Sequence, residues 1–523
     1  MLLAGPFCFT PVSDSDTGWH VAVGRLVLGG TLQHSNAFSW AWGNHPWYPT
    51  SWLYDAALAG WVGVLPGALG AQLLTFALLA GTVWALCAAC DREGTAWVAP
   101  AIAILLVPRL VPRPHVASWA LLAAVLALAP RDTRRRGLCV ALVAIGGNLH
   151  AGAVFAAFVL ALHALEAFWR TRRRGELAIA ALAGLALLAN PGVLFNARYL
   201  LEHLLHVNDV IQLKEFEPPL PWMRPAFFAL LPVALVLAVR RRRERPSLLI
   251  ATVVFAGLGL RALRMVAEAE MVWAPTLAWG LSQVRWPALV GVAGAALAAL
   301  SLRLSPPRLS LAWDQRLVPE RAVRFLDSQR ISSAGFNAFR DGGYLEMARP
   351  GVPAFIDSRV QAYPDEAWRD LQEAEKTAES FQAWLRRVGC EWAVATRVRE
   401  RLGGWHLLHD SKDWALVYWD DASEVFVRRD VPRFSAVRDA LEYRYFHPWG
   451  RIVEGLSRAE LPLLLQEVER FQRTTPGDAL ASVVRCAALR RLGSADADSA
   501  CALRVGPDMA ALLHRARSFE PAP

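Results

Sequence analysis

Between residues 66 and 303 the chain is almost wholly apolar, rich in Ala, Leu, Val and Trp, and is interrupted by short basic clusters. A block this apolar constrains the fold before any motif does. In a bilayer every backbone N–H and C=O must be paired internally, which for such segments means helices. Charged and proline-rich breaks divide the block near 66–90, 95–107, 115–130, 137–148, 152–169, 176–190, 223–240, 247–260, 265–281 and 287–303. A straight span needs about 20 apolar residues. Several segments are shorter, so either their flanks contribute or some are half-helices lining a cavity. The expectation is a polytopic α-helical membrane domain of about ten spans. The whole-chain values, 54% hydrophobic and 19% charged with a mean hydropathy of +0.27, average this block with an ordinary soluble mixture over 304–523.

The basic clusters set the orientation. Arg92, Arg131 to Arg136, Arg170 to Arg174, Arg240 to Arg245 and Arg285 mark alternate loops, and positive charge favours the cytoplasmic side. The first loop and the C-terminal part then lie on the periplasmic side of a bacterial inner (cytoplasmic) membrane, and the lipid bilayer is the first partner. The net charge of +9 comes largely from these loops. We read it as a topology signal, so no nucleic acid is expected as a partner. Met1 to Val12 is too short to span and lacks the basic start of a signal peptide. An outward Asp14 requires either an upstream helix absent from this sequence or an N-terminus drawn across by the helices that follow, and the reading favours a truncated start. The seven cysteines show no metal spacing. Cys87 and Cys90 stand at CxxC spacing inside an apolar segment, where a structural role wins. Cys8, Cys390, Cys486 and Cys501 fall outside, and a Cys486–Cys501 disulfide is one pairing open to them.

The polar residues gather on that outer side. The first loop carries Ser13-Asp14-Ser15-Asp16-Thr17-Gly18-Trp19-His20 and later Asp55; the second carries Arg109, Arg113 and His115; the third carries Asn148 and His150. The fourth opens with Asn190-Pro191-Gly192 and holds Arg198, His203, His206 and Glu215, and the fifth contributes Arg261 and Arg264. Ionisable residues at the membrane boundary are functional candidates by default, and the planar fork of arginine suits phosphate. Arg109 and Arg113 oppose the positive-inside tendency and call for a local partner. Each element also has a plain structural explanation. Asp14 and Asp16 suit a helix cap, Asn190-Pro191-Gly192 is a helix stop, and His150 suits an interhelical hydrogen bond. His203 and His206 fit an interfacial helix. Glu268 and Glu270 either pair with Arg261 and Arg264 or face a water-filled cavity.

The order Asp-x-Asp-x-x-Trp-His, Phe38-Ser39, Pro46-Trp47 and Trp52-Leu53-Tyr54-Asp55, with Asn148-Leu149-His150, Asn190-Pro191-Gly192 and Glu215-Phe216, resembles bacterial multi-spanning proteins of the GT-C glycosyltransferase superfamily. The resemblance covers roughly residues 13–430. It implies a membrane glycosyltransferase that takes sugar from a polyprenyl-phosphate-linked donor at the outer face and passes it to a glycan, lipid or protein acceptor of the cell envelope. Carried over by position, it makes Asp14 and Asp16 the catalytic residues. Trp19, His20, Asp55, Arg109, Arg113, His115, Asn148, His150, Glu215, Arg261 and Arg264 are the candidate substrate-binding set. The chain departs from the pattern in lacking a helix before the motif and in having Asp55 where glutamate is commoner. A carboxylate beside an acceptor hydroxyl acts as general base; Arg113, His115 or a divalent metal stabilises the leaving phosphate. Asp14 and Asp16 can present oxygens to one hard cation, Mg or Mn, though no cofactor is required by the sequence.

The expected domains are 1–65, an outer first loop with the acidic motif; 66–303, the transmembrane helical domain; 313–430, a soluble periplasmic α/β domain; and 431–523, a C-terminal helical segment. Within the third, a helix after Pro319, strands at Gly335–Phe339 and Ala354–Ile356, a turn at Asp341–Tyr344, one helix over 365–388 and strands near 392–396, 415–419 and 424–429 alternate as in a small α/β unit. Asn337, Asp341, Asp357, Arg359 and Tyr363 lie at strand ends, where either a site or a structural network forms. Residues 455–518 read as three or four short amphipathic helices. Two other functions stay open: a non-catalytic envelope scaffold with the same fold that binds lipid or glycan, and, less favoured, a transporter, whose sites belong at the midplane.

Overall fold

In the computed structural model the described residues are 4–192, 195, 213–284, 307–396, 407–409, 411–448 and 453–520. Apolar segments become helices wherever they are described. The chain begins with α1 (Ser15–Leu28) and α2 (Trp52–Val64), followed by α3 (Leu69–Arg92), α4 (Val98–Leu105), α5 (His115–Leu128), α6 (Thr133–Leu149), α7 (Ala153–Thr171) and α8 (Arg174–Leu185). Helices Pro225–Arg240, Pro246–Arg261 and Val266–Ser282 complete this series. The tenth expected segment, 287–303, lies outside the described residues, as do Arg198, His203, His206 and Arg285. Among the described residues two helices, Leu69–Arg92 and Ala153–Thr171, are long and apolar enough to cross a membrane, with mean hydropathies of 2.1 and 1.5.

These elements belong to a compact unit made of Met1–Asn36, Asn44–Trp313 and Arg359–Trp368. Its core fills with small and aromatic side chains: Trp119, Phe227, Phe255 and Trp273 are fully buried among alanines from α3, α5 and α7. The rings of Phe227 and Trp273 stack with centroids 5.2 Å apart. The arginines after residue 131 are not loop residues throughout. Asp132 caps α6 by accepting from the Arg135 N–H at 2.9 Å, so Thr133 to Arg136 are helical, and Arg136 is buried against Glu176.

The second unit is Ala37–Gly43, Asp314–Ser358 and Arg369–Pro523. It holds a four-stranded mixed sheet of β1 (Gly335–Asn337), β2 (Trp392–Thr396), β3 (Trp414–Trp419) and β4 (Ser423–Arg428) in the order β1-β2-β4-β3. Only β1 and β2 run parallel. Residues from the first loop are part of this unit: Ser39 Oγ donates to the Phe355 carbonyl at 2.8 Å and Trp40 Nε1 to the Gly335 carbonyl at 2.9 Å. Five helices follow the sheet among the described residues, Ser435–Leu441, Leu461–Thr474, Ala479–Leu492, Ala497–Cys501 and Pro507–Arg517, with Cys486 and Cys501 joined as a disulfide.

Three local expectations are corrected. Residues 365–388 form two helices, Asp365–Ala374 and Ala378–Val388, because Thr377 and Ser380 make a reciprocal capping box that starts a new helix. The Asp341–Tyr344 stretch opens the helix Gly342–Ala348 instead of turning with positive φ. Glycine is needed at 342 for space, since a Cβ there would sit 2.0 Å from the Ile356 carbonyl oxygen. Ala354–Ile356 is buried but is not a strand. Its Phe355 N–H goes to Asn337 Oδ1 at 2.7 Å, and its one ladder contact is an isolated bridge to Ser39. Asn337 and Asp341 therefore tie backbone together, Asp341 Oδ2 accepting from the Thr396 N–H at 2.7 Å.

Candidate active site at the start of the first helix

Asp14 is the N-cap of α1, and its Oδ2 accepts from the backbone N–H groups of Asp16 at 3.2 Å and Thr17 at 3.0 Å. The Thr17 hydroxyl donates to the same oxygen at 2.9 Å. The cap explanation is therefore correct, yet it is only half of what Asp14 does. Its other oxygen, Oδ1, accepts from Arg113 Nε at 2.7 Å, and the same guanidinium reaches Asp16 Oδ2 through Nη1 at 2.9 Å. One arginine bridges both carboxylates of the motif. This is the local partner that an arginine on the wrong side of the charge rule calls for.

The electrostatics follow from that bridge. Burial alone would raise the Asp14 carboxyl, but Arg113 and Thr17 outweigh it and hold the group below the usual carboxylate range. Burial likewise opposes the charge on Arg113, and Asp14 and Asp16 more than restore it.

One turn along α1, His20 Nδ1 pairs with Asp55 Oδ1 at 2.6 Å. Asp55 lies in the first turn of α2, and Ser51 Oγ donates to its Oδ1 at 3.1 Å. Burial leaves the Asp55 carboxyl above its ordinary value despite the opposing pull of His20. The two helices can approach this closely because Gly24, four residues after His20 and on the same face, lies against the Asp55 backbone. A Cβ at 24 would be 1.9 Å from the Asp55 carbonyl oxygen.

Aromatic rings enclose the pair. Trp19 lies over His20 with centroids 3.5 Å apart, and Trp47 meets Trp19 edge-on at 6.3 Å. Arg359 stands 4.5 Å from the Trp47 ring centroid and donates to Asn36 Oδ1 at 3.1 Å. Arg359 falls more than 300 residues after Asn36, and the sequence marks it only as a strand-end residue. No local signal could have joined it to Trp19.

The other candidates divide into two further groups. Arg109 and Arg264 converge on Glu215 at 3.8 and 3.6 Å, with Arg264 stacked on Phe216 at 4.5 Å. His115 Nε2 is 2.8 Å from the Arg109 carbonyl oxygen. Glu268 pairs with neither Arg261 nor Arg264; its Oε1 accepts from Trp119 Nε1 at 3.0 Å. Asn148 and His150 are helix ties: Asn148 accepts from Trp52 Nε1 at 2.8 Å and donates to the Ala189 carbonyl at 2.7 Å, while His150 Nδ1 meets Ser118 Oγ at 2.8 Å. Arg261 is exposed at the end of its helix and joins none of these groups.

Among the described residues no group of three or more His, Cys, Asp or Glu side chains could hold a metal ion. Asp14 and Asp16 do not fit one as arranged, because the Arg113 guanidinium already occupies the position between them.

No family model matches the sequence, and no curated protein does. Solved structures do match the fold. One is the apo oligosaccharyltransferase of Archaeoglobus fulgidus, at 11% identity and a TM-score of 0.51, over 74% of this chain and 66% of that one. Another is ArnT from Cupriavidus metallidurans bound to undecaprenyl phosphate, at 11% identity and a TM-score of 0.50, over 83% and 97%. The chain thus spans just under two thirds of the oligosaccharyltransferase. Both neighbours are GT-C superfamily glycosyltransferases, and at this identity the likeness establishes a shared fold.

Proposed function

We propose that the protein is a membrane glycosyltransferase that moves a sugar from a polyprenyl-phosphate-linked donor to an envelope acceptor at the outer face of the inner membrane. The observation that carries this reading is the Asp14–Arg113–Asp16 bridge at the start of α1, within a fold shared with two lipid-linked-sugar enzymes. In the proposed step an acceptor hydroxyl oxygen attacks the anomeric carbon. The bond from that carbon to the phosphate oxygen breaks with its electron pair, the polyprenyl phosphate leaves, and the hydroxyl proton passes to a first-loop carboxylate. The oxygens of Asp14 are taken up by the helix end and Arg113, so Asp14 positions the arginine. Asp16 is the more exposed of the two and is the carboxylate we assign to meet the acceptor. No step is routed through a metal.

A membrane setting for the remaining helices is supported by apolar side chains standing exposed along them, among them Trp84, Leu182, Val236 and Val253. Exposed apolar surface on this scale is a burden in water and ordinary against lipid. The domain boundaries set out above and the periplasmic location of the soluble part belong to the same proposal.

One observation favours the scaffold reading instead: every bond of Asp14 has a structural use. The two separate in a deletion strain complemented with the Asp16→Asn variant, with membrane levels checked and envelope glycans profiled. Loss of one glycan species at normal protein abundance supports transfer. Full complementation overturns it and leaves the scaffold.

A further inference from the structure

The second unit has a polar cavity of its own, about 510 Å³ in volume, within the roughly 300–1,000 Å³ of small-molecule sites. Its floor is one face of the sheet. Trp414 and Leu416 alternate onto the same side of β3, and Phe426 of β4 stands opposite Leu416. All three are buried. The walls are charged: Arg429, just after β4, meets Glu442 and Arg444, just after the helix Ser435–Leu441. Arg444 Nε donates to Glu442 Oε2 at 2.9 Å, and Arg429 pairs with Glu442 Oε1. Burial alone would raise the Glu442 carboxyl, but the two arginines outweigh it and hold the group below its ordinary value. The Glu442 side chain is 5% exposed, against 35% for Arg429 and 60% for Arg444. The carboxylate thus lies deep, and two guanidinium groups open outward from it.

The segment that carries Glu442 and Arg444 is fixed through its backbone. The Tyr443 N–H donates to the Leu416 carbonyl at 2.8 Å, which fastens it to the sheet. Buried Glu467 accepts from three consecutive N–H groups, those of Arg444, Tyr445 and Phe446, at 2.8, 2.9 and 2.8 Å. Arg470 stacks on the Tyr443 ring at 4.1 Å and donates to the Glu442 carbonyl at 3.0 Å. A wall held this firmly loses little freedom when a ligand binds, which favours affinity.

We propose that this cavity is a saccharide-binding site, with Arg429, Glu442 and Arg444 engaging hydroxyl groups and Trp414 and Tyr443 meeting the C–H face of a sugar ring. The rim donates, because a guanidinium has five N–H groups and Glu442 engages one from each arginine. The carboxylate beneath accepts. A sugar hydroxyl answers both, being one donor and two acceptor sites. An inorganic anion offers acceptors alone and would lie against Glu442. A metal ion would meet two guanidinium groups, and an apolar ligand would strip water from all three charges. The site lies wholly within the second unit, so it goes beyond the transfer reading and does not depend on it.

The test is binding of the purified full-length protein to an array of bacterial surface oligosaccharides, uncharged and acidic. The strongest binder is then titrated, with inorganic phosphate as competitor and thermal unfolding recorded for every variant. Arg444→Gln, at the open rim, should bind that oligosaccharide about ten-fold more weakly at an unchanged unfolding midpoint, the size of one charge-assisted hydrogen bond lost. Glu442→Gln should weaken binding at least as much, and Arg444→Lys repeats the first measurement if the glutamine variant unfolds early. Absence of binding to every oligosaccharide overturns the site. Unchanged affinity in both the Arg444 and the Glu442 variants overturns its location. Displacement of the oligosaccharide by millimolar phosphate overturns the saccharide chemistry in favour of an anion site. None of these failures touches the transfer reading, which the Asp16→Asn complementation decides separately.

Discussion

His20 Nδ1 stands 2.6 Å from Asp55 Oδ1, and the two residues come from helices whose contact depends on a glycine between them. The pair is buried, the carboxylate has a second donor in Ser51, and Trp19 covers the imidazole. Removing one member strands the other away from water, where an unmet polar group costs about 1–3 kcal/mol. His20→Ala and Asp55→Asn should each destabilise by that order. In a double-mutant cycle the double variant should lose less than the two single losses added together. Strict additivity of unfolding temperatures would show that the pair does not act as a unit.

Gly24 makes a separate prediction. A Cβ there overlaps the Asp55 backbone, so Gly24→Leu should push α1 from α2 and lower stability by about 1–3 kcal/mol, as overpacking does. Differential scanning in detergent measures it. An unchanged midpoint would contradict the close approach.

Asp14 predicts a pH dependence of definite sign. Its folded carboxyl is held below the ordinary value because Arg113 outweighs burial. That contribution is present above the unfolded value of ~3.9 and is lost as pH falls through the lower folded one. Asp55 has the opposite sign, since its raised carboxyl favours the fold at low pH and that help fades as pH rises through the raised value. Comparison with Asp14→Asn isolates the first effect, because asparagine still caps a helix. The variant should lose about 1.5–3 kcal/mol at neutral pH and show a shallower decline below about pH 4. Parallel curves for the two proteins would dismiss the Arg113 contribution.

The Cys486–Cys501 disulfide bears on location. Such bonds persist in oxidising compartments and are rare in the cytosol. Thiol labelling of intact cells should find both cysteines protected until a reductant is added, and Cys486→Ser should cost the C-terminal helices ~3 kcal/mol for a loop of this length. Free thiols in the protein taken directly from the membrane would argue against a periplasmic C-terminal part.

Much of this architecture was legible in the residues, and the reasons differ by element. The apolar block declared its helices because composition alone decides them. The cap at Asp14 and the need for a partner at Arg113 were both readable, but not that each answers the other, since 99 residues separate them. The His20–Asp55 contact was hidden for the same reason, with Gly24 the one clue nearby. Errors fell where side chains override local pattern: a capping box at Thr377 split a continuous amphipathic run, and Asn337 took the N–H that would have made Ala354–Ile356 a strand.

Segments 37–43 and 359–368 each belong to the unit that the bulk of their neighbours in sequence do not. The obvious place to divide this gene, near residue 313, is therefore the wrong one. An amino-terminal fragment would be made without Arg359, the cation that pairs with Asn36 and lies over Trp47. A carboxy-terminal fragment would lack Ser39 and Trp40, which hold Phe355 and Gly335. Each half would lose contacts made within its own unit, so exchange of the second unit between related chains has to carry residues 37–43 with it.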